Sequence, residues 1–332
     1  MEIDMDSLLF SLGAVAPIIL MVVIGYMLKQ IGWMDARFAK DANRLVFRVF
    51  MPVMLFLNIY RIEDVGGMEF GYIWYVVIVL LLVFLFSIPA VLAVARKKDR
   101  CGSLLQATFR SGYSLIGIPL AESLYGREGA IAATFLSAAV IPLYNVLAVI
   151  SLSAFNEGSQ KTSVKKIIIG ILKNPLILGI EAGLLAIGVR SVLADAGIAF
   201  RLSDITPLFT VLQYVSNLAI PMALLVLGAQ FELSAVSSLK REIIFGTVVR
   251  TVIVPVLAIG AAFLFFRNDF NKAHFATFVS VFATPVAVTT VPMAQEMGGD
   301  VTLAGQLVVW STIVSALSVF LSAFLLRIGG CL

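Results

Sequence analysis

Two short stretches decide how this 332-residue chain folds: SLIGIPLAESLYG at positions 114–126 and VTTVPMAQEMGG at positions 288–299. Each places a proline among small or hydroxyl-bearing residues inside a long apolar run. Proline removes a backbone donor and clashes with the preceding turn, and glycine favours unwinding. We therefore expect the helix around each stretch to be interrupted near mid-membrane, at 117–119 in the first case and at 285–290 in the second.

The composition places almost the whole chain in a lipid bilayer. Apolar residues make up 60% and charged residues 13% of the chain, whereas a soluble protein usually carries about 25% charged residues. A membrane-spanning helix needs about 20 apolar residues, so the apolar residues suffice for roughly ten spans. This composition excludes a soluble enzyme, a disordered chain and a disulfide scaffold. The continuous apolar runs also argue against a β-barrel, whose strands alternate apolar and polar residues.

The apolar runs predict ten membrane spans, at 8–28, 45–60, 70–95, 102–124, 130–155, 167–189, 208–231, 243–266, 273–297 and 301–326. Fifteen Lys and Arg residues lie in or next to the odd-numbered connections, and seven lie in the even-numbered connections and the C-terminal segment. Because Lys and Arg gather in cytoplasmic loops, we expect both termini outside the cytoplasm, in a multi-pass protein of the plasma or inner membrane. The net charge of +4 reflects this bias and not nucleic-acid binding.

A series of prolines divides the chain into two similar halves. Matching prolines occur in four consecutive spans of each half: Pro17 and Pro175, Pro52 and Pro221, Pro89 and Pro255, and Pro119 and Pro292. Each proline alone could be a tolerated kink, but the ordered series predicts an internal repeat of residues 1–155 and 167–332, joined by a cytoplasmic linker at 156–166. Because five spans is an odd number, the second half must be inverted, as in secondary transporters. The predicted fold is an all-α integral membrane protein with a 5+5 inverted repeat.

The two interrupted helices, spans 4 and 9, are expected to cross and to form a polar chamber at the repeat interface. Non-helical backbone at this depth is tolerated only inside protein or beside water. It exposes amide donors and a helix N-terminus with partial positive charge, which together favour an anion. The candidate substrate-binding residues are Ser111, Gly112, Tyr113, Ser114, Gly117, Pro119, Thr284, Pro285, Thr289, Thr290 and Pro292.

Ionisable groups inside predicted spans are functional candidates by default, and Glu181, Arg110 and Arg250 are three of them. Glu181 could carry a coupling proton or cation, could be a protonated structural carboxyl, or could reach the outer interface. Arg110 could be functional, or could extend its guanidinium to the cytoplasmic interface. Arg250 could attract an anionic substrate, or could anchor its helix. The sequence leaves these alternatives open.

Four stretches carry a resemblance to a known family. They are GIPLAESLYG at 117–126, KNPLILGI at 173–180, and ATPVAVTTVPMAQEMGGD at 283–300 followed by LVVWSTIVSALS at 307–318. In these stretches the chain resembles the auxin efflux carrier family, in particular its bacterial malate or malonate permeases. The resemblance implies crossing broken helices 4 and 9, as in bile acid symporters and sodium/proton antiporters. It also implies a crossover domain of spans 3–5 and 8–10 that moves against a panel of spans 1, 2, 6 and 7.

Two positions depart from the pattern of that family. Gly112 and Thr289 stand where many relatives have asparagine. We therefore expect hydroxyls and backbone groups, and not side-chain amides, to hold the ligand in this chain.

The predicted function is secondary transport of a small organic anion, such as a carboxylate, by alternating access. The alternative is a cation/proton antiporter of related architecture, which would place a carboxylate at the crossover, and neither span 4 nor span 9 has one there. The sequence contains no HExxH, GxSxG or P-loop motif, so we expect neither an enzyme nor a cofactor. A coupling ion, H⁺ or Na⁺, and a homodimer are left open.

Overall fold

The computed structural model describes residues 5–62, 70–95, 97–155, 169–170 and 172–332, without the side chains of 5–12, 14–15 and 114. Within these ranges the fold is all-helical, and its one β-feature is an isolated bridge. The helices are α1 (Met5–Gln30), α2 (Ala36–Leu45), α3 (Met51–Tyr60), α4 (Phe70–Val94), α5 (Lys98–Phe109), α6 (Ile118–Phe155), α7 (Pro175–Asp195), α8 (Thr206–Asn217), α9 (Ala219–Gln230), α10 (Ala235–Val248), α11 (Val254–Phe265), α12 (Lys272–Phe282), α13 (Thr290–Met297) and α14 (Val301–Ile328). Single π-helical turns occupy Val46–Phe50, Tyr113–Gly117 and Val249–Ile253.

Seven helical segments in the described ranges are long and apolar enough to cross a membrane: Ala36–Tyr60, Phe70–Val94, Leu115–Phe155, Pro175–Asp195, Thr206–Gln230, Ala235–Phe265 and Val301–Ile328. The N-terminal helix adds a shorter apolar segment, Ala16–Gln30. The chain is therefore a multi-pass membrane protein.

One predicted boundary differs from the structure, and another agrees with it. Helix α7 begins at Pro175, later than the predicted start of span 6, because Asn174 caps the helix and proline suits its first turn. The predicted boundary between spans 4 and 5 falls on a break within α6, where the backbone of Tyr125 and Gly126 is not helical and the φ of Gly126 is 56°. The predicted linker at 156–166 lies outside the described residues.

Three prolines share one local geometry. Pro52, Pro119 and Pro255 are each the second residue of a helix that follows directly on a π-helical turn. Proline cannot donate a backbone hydrogen bond and its ring crowds the carbonyl four residues earlier, so a wider turn at this point relieves the clash. By contrast, Pro17 and Pro89 lie inside continuous helices. Proline alone therefore does not locate a break in this chain.

The helices pack into two groups that meet along a cleft. In the first group α1 pairs with α9 and α3 with α7, and α2 and α8 pack on these pairs. In the second group α6 packs against α5 and α12, with α4, α10, α11, α13 and α14 around them. A Cβ at Gly25 would lie 2.1 Å from the Leu225 carbonyl oxygen, and one at Gly183 would lie 2.9 Å from the Ile59 side chain. These two glycines therefore permit close helix crossings within the first group.

One end of the bundle, called here the basic face, carries the described Lys and Arg residues of the odd-numbered connections. At this end α1 and α9 end and α5, α10 and α14 begin. Arg100 pairs with Glu242 at 2.9 Å and with Asp300 at 3.2 Å. These ion pairs join three helices of the second group at the basic face, and the other end is called the opposite face.

Candidate functional site

Two helices of the second group are interrupted, in predicted spans 4 and 9. The first interruption lies at 110–112, between α5 and the π-turn. Its predicted position, 117–119, was wrong because Pro119 takes the second position of α6, where a missing amide costs nothing, and the preceding turn stays wound. The second interruption lies at 283–289, between α12 and α13, and agrees with the predicted 285–290.

The two interruptions pair with each other through backbone hydrogen bonds. The Gly112 amide donates to the Pro285 carbonyl at 2.7 Å, and the Ala287 amide donates to the Arg110 carbonyl at 3.3 Å. They form a short antiparallel bridge, which we call the crossover bridge. These amides were expected to be free for a ligand. They are partnered because an unpaired backbone donor is costly at membrane depth.

Five of the predicted residues border open space next to the crossover bridge. Ser111, Gly112, Pro285 and Thr289 line two small cavities beside it, and Pro119 lines a larger cleft. The Thr289 hydroxyl forms no hydrogen bond within the described part of the chain. It is therefore available to a ligand.

Five other predicted residues are turned into the protein. The hydroxyls of Tyr113 and Thr284 donate to backbone carbonyls at 2.5 Å and 2.7 Å, and Gly117 packs against the Tyr113 ring. Thr290 is buried at the start of α13, and its hydroxyl has no partner among the described residues. The carbonyl of Pro292 accepts a hydrogen bond from a side-chain amide of α2 at 3.5 Å.

Ser114 and Glu181 complete the set of predicted residues. The side chain of Ser114 lies outside the described residues. Glu181 is exposed on α7, six residues after its first residue Pro175, and it does not line the cleft. A coupling role for Glu181 stays a prediction.

A cleft of about 720 Å³ separates the two helix groups next to the crossover bridge. It is lined by α1, α3, α8 and α9 on one side and by residues within 115–119 on the other. Its polar lining consists of Asn58, Arg61, Ser216 and Asn217, of which only Arg61 is charged. Arg61 follows the end of α3 at the opposite face, so the cleft opens away from the basic face.

Toward the basic face, side chains of α13 join the two helix groups. The Gln295 side chain accepts a hydrogen bond from Gln230 at 2.8 Å and donates one to the Lys40 carbonyl at 3.2 Å. Glu296 forms an ion pair with Arg48 at 3.2 Å. We call these contacts the latch. These contacts hold the two helix groups together at the basic face, whereas the cleft opens toward the opposite face.

Arg250 joins the ends of the two interrupted helices. Its side chain is fully buried, and its guanidinium donates to the carbonyls of Phe109 at 3.2 Å, Val281 at 2.6 Å, Phe282 at 3.2 Å and Thr284 at 2.9 Å. One guanidinium thus satisfies carbonyls that α5 and α12 both leave free, and its charge stabilises the negative ends of both helix dipoles. Of the two alternatives for Arg250, the structure supports an anchor, although its partners lie far away in sequence.

Arg110 lies in the crossover bridge, and it is only 3% exposed. Its guanidinium donates to Gln106 Oε1 at 3.2 Å and to Asn145 Oδ1 at 2.9 Å, and it contacts the sulfur of Met293. The interpretation that Arg110 extends to the cytoplasmic interface is therefore wrong, because neutral partners hold its head group inside the protein. It borders one of the small cavities, of about 20 Å³.

Comparison with known proteins places the chain in a family. A family model described as membrane transport protein matches residues 10–322. The chain belongs to this family. The resemblance to auxin efflux carriers is thereby confirmed. A relative from Methanothermobacter thermautotrophicus, described as an uncharacterized transporter, is 24% identical over 313 residues, which cover 93% of this chain and 96% of the relative. The protein is accordingly a membrane transport protein.

Proposed function

We propose that this transport protein moves a small organic anion, such as a carboxylate, by alternating access. The cleft carries this proposal, because it leads from Arg61 at the opposite face to Leu115 and Ile116, which also line a small cavity beside the crossover bridge. A solute entering it meets the uncharged polar groups of Asn58, Ser216 and Asn217 and the positive charge of Arg61. Low-dielectric walls strengthen the attraction of such a charge for an anion.

Alternating access requires the second helix group to move against the first. The latch supports such a movement because its contacts are few and partly exposed, with 57% of the Arg48 side chain accessible. An exposed ion pair contributes only about 0.2–1 kcal/mol. Breaking the latch while closing the cleft would therefore cost little, and it would expose the site at the basic face.

We further propose that the helices form two inverted five-span repeats. The close crossings at Gly25 and Gly183 support this arrangement, because each glycine follows the matched proline of its half by eight residues. By the positive-inside rule the basic face is cytoplasmic. The cleft and both termini then lie on the outer side of the plasma or inner membrane.

The antiporter alternative gains no support from the site. In the described part of the chain, the charged side chains at the crossover bridge are Arg110 and Arg250, and no carboxylate lines the cleft or the small cavities. A cation carrier would place a negative charge there.

Transport in proteoliposomes tests the proposal. We expect saturable uptake of at least one radiolabelled mono- or dicarboxylate, competed by carboxylates and not by the matching carboxamides. In an Asn217→Cys variant, a membrane-impermeant thiol reagent should label the cleft, and the transported acid should slow the labelling. The two native cysteines are buried, so the signal reports the new thiol. Uptake of cations in place of acids would contradict the proposal.

A further inference from the structure

Arg110 carries a buried charge, and its guanidinium is bonded to no charged side chain among the residues that the structure describes. Its partners Gln106, Asn145 and Met293 are all neutral. The ion pairs that Arg48 and Arg100 form lie elsewhere, at the basic face. Burying a charge is strongly unfavourable unless it is paired. A group from outside the protein would remove this penalty.

The cavity beside Arg110 lies at the boundary between the two helix groups. Ser111, Asn145 and Thr289 line it together with Arg110, and Met54 of the first group covers them. Met54 also lines the cleft, so its side chain separates the cavity from the proposed route of the solute. Methionine is flexible and adopts several conformations easily, which makes it a suitable cover for a site that opens.

We propose that Arg110 binds the carboxylate of the transported anion in this cavity, an inference that rests on the proposed function. A guanidinium has five N–H donors, and at least two remain after its contacts with Gln106, Asn145 and Met293. Two such donors match a planar carboxylate in parallel hydrogen bonds. The unpartnered Thr289 hydroxyl supplies a third donor.

The present size of the cavity describes its closed form. Its volume of about 20 Å³ holds about one water molecule. A carboxylate enters when Met54 turns aside or when the first helix group moves, and it replaces water against Arg110. The organic part of the solute then extends toward the cleft.

Asn145 offers a sharp test, because its Oδ1 accepts a hydrogen bond from Arg110 at 2.9 Å. Asn145→Asp keeps the shape of the side chain and places a carboxylate beside Arg110. This carboxylate should pair with Arg110 in place of the carboxylate of the ligand. Arg110→Met removes the charge itself. Arg127→Gln removes a cation from an exposed position and serves as the matched control.

The experiment measures the unfolding temperature (Tm) of each purified variant with sodium acetate, propionate, malonate or succinate, with the matching amides, and with sodium chloride at equal ionic strength. A ligand that binds the native state raises the Tm with its concentration. We expect an acid to raise the Tm of the wild type and of Arg127→Gln above the chloride value. In Asn145→Asp and Arg110→Met the response should weaken by about tenfold or more, as expected for a lost charge-assisted hydrogen bond. Without ligand, both variants should unfold at or above the wild-type Tm.

The alternatives give different results. An acid response that is unchanged in both variants contradicts the assignment of Arg110 and leaves the proposed function intact. A ligand-free Tm lowered by more than about 5 °C in both variants shows that Arg110 is structural. Equal stabilisation by chloride and by acids makes the cavity a site for inorganic anions and overturns the carboxylate assignment. If no acid stabilises the wild type, the proposed function is contradicted. The Tm values without ligand then still test whether the buried charge of Arg110 is structural.

Discussion

Arg110 and Arg250 are both buried guanidinium groups at the crossover bridge, but their surroundings differ. Arg250 donates to four backbone carbonyls where α5 and α12 end, inside the second helix group. Arg110 contacts only neutral side chains and faces the first helix group across a small cavity. The free helix ends balance the charge of Arg250, whereas the guanidinium of Arg110 is bonded to no charged side chain in the described ranges. The charge of Arg250 therefore stabilises the fold, whereas the charge of Arg110 suits the binding of an anionic ligand.

The largest expected effect is that of Arg250→Met. The substitution leaves up to four buried carbonyls without a donor, so we expect a loss of about 3–5 kcal/mol in the free energy of unfolding. Thermal unfolding measures the loss, and Arg110→Met provides the contrast because it should not lower the Tm. Equal losses in the two variants would abolish the distinction between the two arginines.

A smaller effect is expected at Ser311, whose hydroxyl supports the crossover bridge between the two arginines. The Val286 amide donates to Ser311 Oγ at 3.0 Å. Ser311→Ala leaves this buried amide unpaired, which should cost about 1–3 kcal/mol in thermal unfolding. Ser311→Thr keeps the hydroxyl and is the control. If Ser311→Ala unfolds at the wild-type Tm, the bridge does not depend on this support.

A still smaller effect is expected at the latch, which lies at the same boundary between the helix groups as Arg110. A substitution there leaves the surroundings of Arg250 unchanged. Glu296→Gln removes the ion pair with Arg48, worth about 0.2–1 kcal/mol. The cleft should then close more often, and labelling of Asn217→Cys should slow by up to about fivefold, with little change in the Tm. Added salt should produce the same slowing in the parent Asn217→Cys protein, because it screens the exposed pair. Labelling that responds to neither change would show that the latch does not control the boundary.

The smallest effect is expected at Gly112, next to Arg110. Its φ is −71°, and a Cβ would lie 3.6 Å from the Pro285 carbonyl oxygen, an ordinary contact. Gly112→Ala should therefore change the free energy of unfolding by less than about 0.5 kcal/mol. A larger loss in thermal unfolding would mean that the bridge requires glycine here.

The sequence predicted the interrupted helices well because their cause is local. Proline and hydroxyl-bearing residues at 284–292 located the second interruption, where the backbone is non-helical at 283–289. The first was misplaced because a π-turn and a helix start accommodate Pro119 without a break. The local sequence does not show whether a proline interrupts a helix or is accommodated at a helix start. That outcome depends on which backbone groups find partners across the crossover bridge.

The roles of the charged residues were not predictable in the same way. Composition and charge bias determined that the chain spans a membrane, because each span must be apolar along its own length. Only the tertiary structure decided that Arg250 caps two helices, since Phe109 and Thr284 are 141 and 34 residues away in sequence. It also decided that Glu181 is exposed on α7, away from the crossover bridge. The requirement to bury apolar surface acts along the chain, whereas the balance of a buried charge depends on neighbours that only folding brings together.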